Sequence, residues 1–188
     1  KSIDNGTTWS PMSDELPQIG VSGIAVDYSD SNTIYITTGD KDATDTYSIG
    51  VLKSTDGGVT WNTTGLSFAN TTTTAGDILI HPTNNQILWC ATSVGLYKTS
   101  NAGTTWTMVQ TGDFAQGSIR LKPGTPSTVY ATSNNRFFRS TNSGDTFTQI
   151  TTGLPLSNGR MIMDVTPANS EYVYILASTT SSGFQGIY

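Results

Sequence analysis

The chain has one cysteine and one histidine in 188 residues. A lone Cys90 rules out an internal disulfide framework, and a lone His81 rules out a metal centre built on paired imidazoles. Cys90 falls in the apolar run "ILWCAT", which predicts a buried structural thiol. Charge is scarce as well: 12% of residues are charged and the net charge is -5, so the basic footprint of a nucleic-acid binder is missing. No apolar run approaches the length of a membrane-spanning helix. No leader segment is legible, because the sequence opens inside a repeated motif. Glutamate is nearly absent, with only Glu15 and Glu171, both in stretches that read as turns. Long patterns of helix-forming residues are also missing.

Thr, Ser, Gly and Asn are abundant instead, a composition of short strands joined by turns. One motif recurs four times: "KSIDNGTTWS" from Lys1, "KSTDGGVTWN" from Lys53, "KTSNAGTTWT" from Lys98 and "RSTNSGDTFT" from Arg139. Its acidic position holds Asp4 and Asp56 in two copies but Asn101 and Asn142 in the others. A catalytic acid, base or nucleophile cannot become Asn and keep its role. A turn former can, since Asp and Asn side chains both accept hydrogen bonds from backbone N–H groups a few residues on. The glycine at fixed offset (Gly6, Gly58, Gly103, Gly144) suits a positive φ. The aromatic that follows (Trp9, Trp61, Trp106, Phe147) is expected to start a strand and feed the core. The motif holds a turn.

Copies spaced roughly 40–50 residues apart, each with several short strands, are the signature of propeller blades. Each period reads as four antiparallel strands. The first is "GIAVDY", "DILIHP", "SIRLKP" or "RMIMDVTP"; the second is "TIYITT", "ILWCAT", "TVYATS" or "YVYILAS". The third, "GVLKS", "GLYKT", "FFRS" or "GIY", runs into the turn motif, and the fourth starts at the motif's aromatic. The expected fold is an all-β propeller, 1–188, with repeats starting at 1, 53, 98 and 139. Two closures are open. The strand near Trp9 pairs with the last three strands in a four-bladed ring, or the four repeats are part of a larger one.

These motifs resemble the Asp-box repeat (bacterial neuraminidase repeat, BNR-like) family of propellers. Within it the chain looks most like xyloglucanase-like and sortilin-like members in secreted Bacteroidetes-type surface proteins. The family hosts enzymes, receptors and assembly factors, so the resemblance implies fold far more than function. It also implies that ligands meet the loops between strands two and three and between blades, opposite the turn motifs.

Asp27, His81, Lys122 and Thr166 hold equivalent places on the first strands and are expected to be solvated. On the ligand face that the resemblance implies, "GDKDATDTYS" expands the loop of the first repeat and carries Asp40, Asp42 and Asp45, an oxygen-rich set of the kind calcium takes. Tyr47 adds a ring beside it. Asp77, Ser118, Arg120, Arg160 and Asp164 sit on first strands, nearest the central channel, and Asp77, Arg120 and Arg160 are candidate ligand contacts. By resemblance, Asp40 sits near one catalytic Asp of xyloglucanase-like relatives, although "TTGDKD" lacks their Gly-Gly-Ala-Tyr context. A sialidase is not supported: Arg136 and Arg139 belong to a third strand and its motif, away from Arg120 and Arg160.

The expected function is therefore a non-catalytic module, extracellular or on the cell surface, serving as scaffold or in glycan binding and adhesion. Its partners would be a glycan, another surface protein and the remaining domains of a larger parent chain. The alternative is part of a glycoside hydrolase whose second carboxylate lies in further blades.

Overall fold

A computed structural model describes residues 1–12, 16, 20–42, 46, 48–68, 72–155 and 157–188. Glu15, Asp45 and Tyr47 lie outside the described residues. The described chain forms fifteen strands in four antiparallel sheets and no helix.

The first sheet runs β1 (Val21–Val26), β2 (Ile34–Thr38), β3 (Val51–Ser54), β4 (Asn62–Thr63). The second runs β5 (Ala75–Ile80), β6 (Leu88–Thr92), β7 (Gly95–Thr99), β8 (Thr107–Thr111). The third comprises β9 (Ile119–Lys122), β10 (Thr125–Thr132), β11 (Phe137–Ser140) and β12 (Thr148–Ile150). The fourth has three strands, β13 (Met161–Thr166), β14 (Asn169–Ser178) and β15 (Phe184–Ile187). Each sheet is a meander of neighbouring strands, as the repeats require.

The turn motif is built the same way in all four copies. Ser54 Oγ donates to Asp56 Oδ1 (2.8 Å) and accepts from Gly58 N (2.8 Å), while Asp56 Oδ1 accepts from Thr60 N (2.9 Å). Thr60 Oγ1 then donates to the second carboxylate oxygen at 2.6 Å. In the Asn copies that last bond reverses direction: Asn101 Nδ2 donates to Thr105 Oγ1 (2.8 Å) and Asn142 Nδ2 to Thr146 Oγ1 (3.0 Å). A hydroxyl donates or accepts equally well, so Asp and Asn interchange at this position. In the Asp copies, the threonine hydroxyl first and its backbone N–H second lower the carboxyl pKa from 3.8 to about 2 at both Asp4 and Asp56.

Apolar clusters seal each blade against the next. Tyr35 and Val51 meet Ile78, Ile80, Leu88 and Cys90; Trp89 and Leu96 meet Ile119 and Val129; Tyr130 and Phe137 meet Met161, Met163 and Ile175. The first strands β1, β5, β9 and β13 succeed one another along the inner side. The succession stops at both ends. Ile24 is 66% exposed where its equivalent Ile78 is 3%, and Tyr174 is 49% exposed where its equivalent Trp89 is fully buried.

The strand expected near Trp9 does not close the ring. Among the described residues Lys1–Met12 joins no sheet, and β15 has no fourth strand beside it. Trp9 is 73% exposed, its indole donating to Gly6 O (3.0 Å). Trp61, Trp106 and Phe147 are half-buried, each immediately before its strand. Asp27 also departs from expectation. It is buried because Ser29 supplies both a backbone N–H (2.8 Å) and a hydroxyl (2.7 Å) that replace water at its carboxylate. Burial pushes its pKa up, but the Ser29 bonds together with donors from Asn85 and Asp30 outweigh it and hold the pKa below the usual value.

Candidate functional site at the loop end of the blades

Strand pairing decides which loops share an end. Val21 at the start of β1 faces Thr38 at the end of β2, and Ala75 faces Thr92 likewise. The links between blades therefore gather with the loops between second and third strands, while the turn motifs lie at the other end.

Two polar networks occupy the loop end and the channel side. In the first, Arg120 on β9 reaches back to Asp77 on β5 (NH1 to Oδ2, 3.1 Å) and forward to Asp164 on β13 (Nε to Oδ1, 3.2 Å). Asp77 Oδ2 also accepts from Ile119 N at 2.9 Å. One guanidinium thus ties three successive first strands, and its fork geometry suits two carboxylates at once.

In the second network, the loop after β2 crosses to the far blade. Ser22 Oγ donates to Gly39 O (2.6 Å) and accepts from Lys41 N (3.2 Å), while Asp40 Oδ1 accepts from Asp42 N (2.8 Å). Lys41 O accepts from Gln116 Nε2 (3.0 Å), Gln116 Oε1 accepts from Arg160 Nε (3.1 Å), and Arg160 pairs with Asp42. Residues from the first blade, the β8–β9 link and the start of β13 meet in this one chain of contacts.

Sequence placed Asp40, Asp42, Asp77, Arg120 and Arg160 on this side, and the structure brings Asp42 to Arg160 and Asp77 to Arg120. It joins Gln116 to them, which the sequence reading missed; nothing in "GDFAQGS" marks that glutamine. Among the described residues no three of His, Cys, Asp and Glu come together as metal ligands. His81 stands apart. Its Nδ1 accepts from Thr83 N (3.2 Å), and partial burial first, then nearby Lys98, lower its pKa.

No family model matches the chain. It is 34% identical over 116 residues to the xyloglucanase Xgh74A of Acetivibrio thermocellus, which takes in 55% of this chain and 14% of that protein. An ancestral GH74 enzyme superposes with a TM-score of 0.68 at 22% identity, over 95% of this chain and 25% of the other. This is part of a β-propeller. A nutrient-binding protein from Bacteroides thetaiotaomicron shares the architecture, with a TM-score of 0.58 at 16% identity over 90% of this chain and 41% of that one. The chain thus spans 14% of that curated relative and less than half of either solved structure.

Proposed function

We propose that this propeller segment binds glycan without cleaving it, as part of a larger extracellular or cell-surface protein with BNR-like repeats. The observation that carries this reading is how three carboxylates, Asp42, Asp77 and Asp164, are engaged. Arg120 takes up Asp77 and Asp164, and Arg160 takes up Asp42. Glycoside hydrolysis needs two carboxyl groups flanking the scissile bond, roughly 5–10 Å apart. Carboxylates drawn onto arginines are held in place as hydrogen-bond acceptors, with lone pairs left for sugar hydroxyls. The polar groups suit hydroxyl recognition instead, and sequence similarity to xyloglucanases points to xyloglucan-type chains. The open end faces agree with further blades in a longer polypeptide.

The second reading is part of a glycoside hydrolase, favoured by that same similarity and by the position of Asp40. Incubating the protein with xyloglucan separates the two. Binding without release of reducing sugar supports the first reading; release that disappears in Asp40→Asn establishes the second. Calcium is the cation we propose for Asp40, Asp42 and Asp45, and it is tested by melting chelator-treated protein with and without added calcium.

A further inference from the structure

A pocket lies at the loop end, sharing no lining residue with the arginine networks. It has a volume of about 330 Å³ at the loop end of the third blade, walled by the β8–β9 link, the β10–β11 loop and the β12–β13 link. Asp113 comes from the first wall, Asn134, Asn135 and Arg136 from the second, and Asn158 from the third.

The asparagine side chains are fixed by their amide hydrogens. Asn134 Nδ2 donates to Asp113 Oδ2 (2.9 Å), and Asn158 Nδ2 donates to Asn135 O (3.3 Å) and Pro155 O (3.2 Å). The two amide oxygens, Asn134 Oδ1 and Asn158 Oδ1, are buried and meet no protein donor. Arg136 and Asp113 line the same pocket without pairing: Arg136 makes no ion pair among the described residues.

We propose that this pocket is a sugar subsite, with neighbouring hydroxyls of one ring accepting from Arg136 and donating to Asp113. A hydroxyl is donor and acceptor together, so a diol satisfies both an unpaired guanidinium and a carboxylate. An anion is disfavoured by Asp113, and an apolar ligand leaves the polar walls unpaired. The volume lies at the small end of ligand pockets, which suits one ring of a longer chain. The choice of ligand rests on the glycan reading above; the site itself is separate from the Arg120 and Arg160 networks.

The test is calorimetric titration of the protein with xyloglucan oligosaccharides and cello-oligosaccharides. Arg136→Ala and Asp113→Ala are run beside it, with melting temperature confirming that each variant folds. Arg136 is exposed and holds no other element, so its truncation reads binding and not folding. The expected result is a loss of about tenfold or more in affinity for Arg136→Ala at unchanged melting temperature, as for a lost charged hydrogen bond. Unchanged affinity in Arg136→Ala overturns the subsite and leaves the glycan reading standing. No binding of either saccharide by the parent protein overturns both.

Discussion

Gly144 of the fourth turn motif lies against the indole of Trp89 in the preceding blade, so close that an added Cβ would stand 2.1 Å from Nε1. The glycine meets two demands together: a φ of +77° and room for a neighbouring ring. Gly103 repeats the arrangement more loosely, its Cβ position 3.5 Å from the ring of Tyr35. The turn motif is thus a contact between blades as well as a turn.

Gly144→Ala should be costly for both reasons, by about 1–3 kcal/mol for overpacking in addition to about 1–2 kcal/mol for the left-handed backbone. Gly124 supplies the control, with a φ of +73° and nothing within 4 Å of its Cβ position. Gly124→Ala should show the backbone cost alone. Chemical denaturation of both variants checks the difference, and equal losses would remove Trp89 from the explanation.

The motif carboxylates give the protein an acid-sensitive component. Asp4 and Asp56 have folded-state pKa values of about 2 against 3.8 ordinarily, so protons bind the unfolded chain more readily between those values. Their contribution is fully present above the ordinary value and is lost as pH falls through about 2. Asp56→Asn should keep the turn, as Asn101 and Asn142 do, and should lower the pH dependence of melting across that window. A parent-like acid profile in the variant would contradict this.

Equivalent aromatics should differ in worth according to whether a following blade covers them. Tyr130 is buried and stacks on Phe137 at 5.8 Å, facing the fourth blade. Tyr130→Ala should cost about 3–5 kcal/mol, whereas Tyr174→Ala, at an uncovered face, should cost about 1 kcal/mol or less. Denaturation midpoints of the two variants decide it.

Cys90 should be inert in the folded protein. It is fully buried between the first two blades, and burial, reinforced by the nearby Asp77 carboxylate, pushes its thiol far above the ordinary range. A thiol-labelling reagent should react only on unfolding, because the thiolate is the nucleophile. Stoichiometric labelling of native protein would show that the blade interface opens.

The four turns, the strand order within each blade and the interchange of Asp with Asn were legible in the sequence. All three are local, set by side chains within a few residues of the backbone they bind. Periodicity also marked which strands are first, and so which residues line the channel. It could not show that Asp42 crosses to Arg160, 118 residues away, or that Gln116 bridges Lys41 and Arg160, because such pairings depend on how the blades are placed around the channel. Asp27 was misread for a related reason. Its equivalents are polar, but whether a polar side chain at that place is solvated depends on the donors around it, here Ser29 of its own loop and Asn85 of the next blade. The end faces make the same point at the scale of the whole chain. Ile24 and Ile78 occupy the same place in the repeat, and only the presence or absence of a neighbouring blade makes one exposed and the other buried. Sequence determined the blade; tertiary structure decided what each blade touches, since burial is a property of neighbours.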